Sequence, residues 1–91
     1  MKRCYIITFE LQNPGLNRDK LIAAIKGVTW ARLGNSTYAI STTQSSSQIR
    51  DILLPNLYQG DILYVGLLDN SAAWLGLSEE VANWLRANQQ R

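Results

Sequence analysis

Residues 3–21, RCYIITFELQNPGLNRDKL, decide how the rest of the chain is read. The first nine alternate in the manner of a strand. Tyr5, Ile7, Phe9 and Leu11 fall on one side; Cys4, Ile6, Thr8 and Glu10 fall on the other. Both sides are apolar as far as Thr8, which predicts a central strand over 3–11, covered on both faces. QNPG then supplies turn chemistry. Asn17 is the expected N-cap of a helix over 18–27. Leu21, Ile22, Ile25 and Val28 recur at helical spacing, while Arg18, Lys20 and Lys26 leave the polar side basic. Gly27 stands where a C-terminal cap is expected.

Working outward, TWARLGNSTYAIST reads as a hairpin, with strands over 29–33 and 37–42 around the turn residues Gly34, Asn35 and Ser36. The serine-rich stretch 45–47 offers N-caps for a short helix carrying Ile49, Ile52 and Leu53, which Pro55 should end near Leu54. ILYVGLL (62–68) is expected as a short buried strand. Residues 69–77 are expected as a loop holding Trp74. SEEVANWLRANQQ (78–90) is a last helix with Ser78 as N-cap, two glutamates at its positive end, and Val81, Trp84 and Leu85 on its apolar side. The order is βαββαβ plus a C-terminal helix. This is an α+β, ferredoxin-like antiparallel sheet with two helices on one face. The other face is left for a partner, a ligand or the added segment, and an apolar open face invites dimerisation.

Composition narrows the chemistry. Ninety-one residues fit a single domain, 1–91, and 46% hydrophobic with 18% charged residues suits a soluble globular protein. A net charge of +2 is too small to drive nucleic-acid binding through the global field, leaving only a local basic patch. Cys4 is the single cysteine, which favours a reducing compartment; with no membrane-length apolar run, a cytoplasmic location is expected. The chain has no histidine, so catalysis would fall to carboxylates, Tyr, Lys, Arg or an oxygen-bound hard cation.

The order ITFELQNPG, helix, WARLGNSTYAI, IRDIL, GDILYV resembles the small ferredoxin-like proteins related to the CRISPR-associated adaptation endoribonuclease. It is most similar to the SinR-like branch of phages and bacteria, over nearly the whole chain. In that family an aspartate at the end of the first strand holds a divalent metal at the dimer two-fold. The resemblance therefore implies a homodimer in which Glu10 is the catalytic, metal-binding residue, with Mg²⁺ or Mn²⁺ activating water for phosphodiester cleavage. Glutamate carries one more methylene than that aspartate, which displaces the charge by about a bond length.

Each site residue has a plainer reading beside the functional one. Glu10 is either a metal ligand or a solvated strand-end acid paired with Arg32 or Lys2. Asp61 and Asp69 sit where turns favour aspartate. Trp30, Arg32 and Tyr38, with Arg18 and Lys20 on the first helix, form a cationic and aromatic set suited to stacking bases and holding phosphates of RNA or DNA. Aromatics on a small sheet are more often core or dimer interface. Lys2, Arg3 and Lys26 add to the basic surface. The alternative function is a non-catalytic interaction module, of the toxin–antitoxin or phage-accessory kind, that grips a protein partner through the sheet face and the Trp74–Trp84 segment.

Overall fold

The computed structural model describes residues 1–69 and 71–89; Gln90, the last residue of the expected C-terminal helix, lies outside them, as does Asn70 of the expected loop. The elements run β1 (Arg3–Glu10), α1 (Pro14–Ile25), β2 (Thr29–Gly34), β3 (Thr37–Thr42), α2 (Ser46–Leu53), a 3₁₀ turn (Leu54–Asn56), β4 (Ile62–Leu67) and α3 (Glu79–Asn88). The sheet order is β2-β3-β1-β4, with every neighbouring pair antiparallel. This is the expected split βαβ arrangement: each helical crossover joins two strands that leave room for a third between them.

Tyr5, Ile7 and Phe9 of β1 point to the face covered by α1 and α2. There they form one core with Leu21, Ile25, Tyr38, Ile40, Ile49 and Leu53. Leu21 and Ile25 recur one turn apart on α1, and burial of each stabilises the fold by about 1.5–3 kcal/mol. The opposite face carries a second, smaller cluster of Cys4, Ala39 and Leu85, joined by Ile6, Leu33, Leu68, Val81 and Trp84. The added helix α3 is therefore what covers that face. It starts on Ser78, whose hydroxyl accepts from the Val81 amide, and its end is tied back by the Gln89 side chain donating to the Asp69 carbonyl.

Three expectations need correction. Helix α1 begins at Pro14, four residues earlier than expected, with Asn13 as N-cap. Proline lacks an amide that the first helical turn would leave unbonded, so the Pro-Gly pair opens the helix instead of ending the turn. Asn17 is consequently inside the helix and buried, where its Nδ2 donates to the Asn56 carbonyl (2.7 Å) and to Asp61 Oδ2 (3.0 Å). Second, α3 covers β1 only over Cys4 and Ile6; Glu10 is exposed. Third, β4 is a sheet edge, not a buried strand: Ile62 and Tyr64 are 56% and 60% exposed. The serine-rich stretch does cap α2, since Ser45 accepts from the Gln48 amide while the Gln48 side chain accepts from the Ser45 amide.

Candidate nucleic-acid interface

Helix α1 ends beside the start of β2, and the three-residue link between them brings Lys26 back over the sheet edge. Trp30 and Arg32 alternate with buried Ala31 along β2, so both face the α1 side. Trp30 pairs in register with Ile40, and Arg32 with Tyr38. The result is a row of rings with a cation at each end. The Lys26 ammonium lies 4.4 Å from the Trp30 ring centroid. Trp30 meets Tyr38 at 6.1 Å and 53°, and Tyr38 stacks on Phe9 at 6.5 Å and 17°. The Arg18 guanidinium stands 5.8 Å over Phe9.

The β2–β3 turn fixes the two arginines. Arg18 Nη2 donates to the Asn35 carbonyl at 2.6 Å, and Arg32 Nη2 donates to Asn35 Oδ1 at 2.7 Å. Arg32 Nε also donates to the Gly34 carbonyl, 3.2 Å away. Neutral acceptors orient these guanidiniums without cancelling their charge. Among the described residues the ion pair within 4.0 Å is Arg50 with Asp51, so Arg18, Lys20, Lys26 and Arg32 have no carboxylate partner. Lys20 is exposed on α1 and borders, with Arg18, a depression of about 420 Å³ over the helix start; it takes no part in the ring contacts.

Tyr38 does not serve as expected. Its ring is buried between Phe9 and Trp30, so it supports the tryptophan and is closed to a base. Lys26 and Phe9 complete the row; Lys26 is legible in the sequence as part of the basic surface, but not as a neighbour of Trp30. Only the helix-to-strand packing carries Lys26 onto Trp30.

Glu10 lies on the opposite face of the sheet. Phe9 points into the α1/α2 core, so the next side chain turns away from it, and from Arg32 with it. The arginine and the glutamate of one chain therefore do not meet. Neither does the expected pairing of Glu10 with Arg32 or Lys2 form: Glu10 has no ion pair or side-chain hydrogen bond among the described residues. Asp61, which the register brings to the same end of the sheet, is engaged elsewhere. Its Oδ1 accepts from the Gln12 amide (2.8 Å), and its Oδ2 from the Tyr58 amide (2.9 Å) and Asn17. The Gln12 and Tyr58 amides, with a lesser contribution from Asn17, lower its pKa against the opposing effect of desolvation. Asp69 accepts from the Ser71 amide, again a turn role. Among the described residues no three Cys, Asp or Glu side chains converge on a point where a metal ion could sit. No helix among them is long and apolar enough to cross a membrane.

Trp84 packs in the second cluster, whereas Trp74 is exposed beneath the Arg86 guanidinium, 5.7 Å from its centroid.

The chain matches no protein-family model and no curated protein. Its structure is similar to the crystal structure of a hypothetical protein from Thermus thermophilus, with a TM-score of 0.71 and 20% identity over 85% of this chain and 94% of that one. At that identity the likeness establishes a shared α+β fold.

Proposed function

We propose that this protein binds nucleic acid along the ridge formed by α1 and β2. The observation that carries the reading is the ring row capped by Lys26 and Arg18, with Arg32 beside it and, among the described residues, no acid within ion-pair distance of the three. Trp30 stays 38% exposed with the Lys26 ammonium over its ring, so an unpaired base would stack there by turning Lys26 aside toward a phosphate, with Arg18 and Arg32 placed for further phosphates. Single-stranded RNA or DNA fits this better than a duplex, whose bases are already stacked. The family resemblance is part of the proposal. Cleavage belongs to it only if a second chain brings its own Glu10 to share an ion, because Asp61, the acid at the same end of the sheet, is held by Gln12, Tyr58 and Asn17.

The test is fluorescence anisotropy with labelled single-stranded oligonucleotides, in EDTA, over a series of salt concentrations. Binding should persist without divalent metal and weaken steeply as salt rises. The Lys26→Glu, Arg32→Glu double variant should lose at least about tenfold in affinity, with a shallower salt slope. An absence of binding at low salt, or a variant that binds as well as the parent, would sink the reading.

A further inference from the structure

We propose that the ridge takes the end of a strand: a terminal nucleotide whose base lies on Trp30 and whose phosphate monoester is held by Arg18 and Arg32 together. The inference rests on the nucleic-acid reading above and narrows it from any single strand to one with a phosphorylated end.

The row of rings has room for one base. Proteins that track a long single strand offer successive aromatic platforms. Here Phe9 and Tyr38 are only 4% and 2% exposed, and Trp30 alone in the row is open to a ligand. Trp30 and Arg32 lie two residues apart on one face of β2, about 6.7 Å along the strand, a distance that a single nucleotide covers from base to phosphate.

At the phosphate end, two guanidiniums from different elements converge on one residue. Arg18 of α1 donates to the Asn35 carbonyl at 2.6 Å, and Arg32 of β2 donates to Asn35 Oδ1 at 2.7 Å. A phosphate beside this turn can therefore meet both at once. Asn35 is a positioning residue: being neutral, it sets where the two cations stand and leaves their charge intact. Arg32 Nε is bound to the Gly34 carbonyl, and the remaining N–H groups of both arginines have no acceptor among the described residues. Asp19, next to Arg18 in the chain, makes no ion pair with it. Charge then selects the ligand. A phosphate monoester carries about −1.5 to −2 at neutral pH and three acceptor oxygens, which suits two guanidinium forks. An internal phosphodiester carries a single negative charge and leaves one of the two arginines without a counterion. The pair is matched by a strand's phosphorylated end.

The test compares internally labelled oligouridylates in EDTA: one with a 5′-phosphate, one with a 3′-phosphate, and one with hydroxyl ends that is a residue longer, so that all carry the same number of phosphates. One of the phosphorylated strands should bind about tenfold more tightly than the hydroxyl strand, the usual worth of added hydrogen bonds between charged groups. Trp30→Ala should weaken every strand alike and keep that ratio. Arg32→Gln and Asn35→Ala should bring the ratio close to one. Arg32 is exposed, so Arg32→Gln carries the test even where the turn variant folds poorly. Equal affinity for all three strands, or a preference that survives Arg32→Gln, would overturn the proposal while leaving the ridge as a general single-strand site. If no strand binds, the ridge reading fails and this inference falls with it.

Discussion

The two edges of this four-stranded sheet are built differently. Edge β2 carries Arg32, has a register irregularity between Arg32 and Gly34, and is flanked by Lys26 on one face and α3 on the other. Edge β4 has no charge, no irregularity and three exposed apolar side chains. The first would repel a strand and attract a polyanion; the second is neutral to phosphate and open to a strand. One small sheet thus separates two surfaces by edge chemistry alone, with β1 and β3 as the shared support.

The largest expected effect is on that support. Ile7 of β1 is fully buried between the helices and the sheet. Ile7→Ala should cost about 2–5 kcal/mol in urea unfolding. Oligonucleotide binding should fail at a denaturant concentration where the parent still works. If oligonucleotide binding outlasted the loss of the folded core, the ridge would not share its folding unit.

Changes confined to one edge should be smaller and one-sided. Trp30→Ala removes the exposed ring and should cost about 1–3 kcal/mol of oligonucleotide affinity, the usual worth of one stacked base. The urea midpoint should not change. Tyr64→Lys on the other edge should leave oligonucleotide affinity unchanged. A loss of affinity in Tyr64→Lys would show that the edges are coupled.

How far the sequence reached follows the same division. Local signals were enough for the element order: alternation in β1, turn residues in the hairpin, Ser45 and Ser78 as caps. The parity that puts Trp30 and Arg32 on one face was also readable. Three features depend on packing and were not. Asn13-Pro14 and Asn17 are both good helix starts, and Asn17 is decided by its bonds to Asn56 and Asp61. An apolar run such as ILYVGLL has the same composition whether a helix, a strand or nothing yet covers it. Nor does any local pattern say that Lys26 lands on Trp30 or that Tyr38 is sealed beneath it. Glu10 drew attention because it is the lone acid of β1, a property that says nothing of which face it occupies.

The smallest effect concerns the frame that holds the start of β4. Asp61 accepts two backbone amides and Asn17, and its folded pKa is lowered. Its contribution is present above the ordinary aspartate value of about 3.9 and is lost as pH falls through the lower folded value. Asp61→Asn should flatten the acid limb of a stability–pH curve below about pH 4 and leave neutral-pH binding at the ridge alone.

The most direct test of the central claim is photo-cross-linking of a 4-thiouridine-containing single strand in EDTA, followed by mapping of the modified peptide. The account predicts adducts on the segment from Lys26 to Arg32, centred on Trp30. Adducts concentrated at Glu10 and Ile62, on the other face of the sheet, would contradict it.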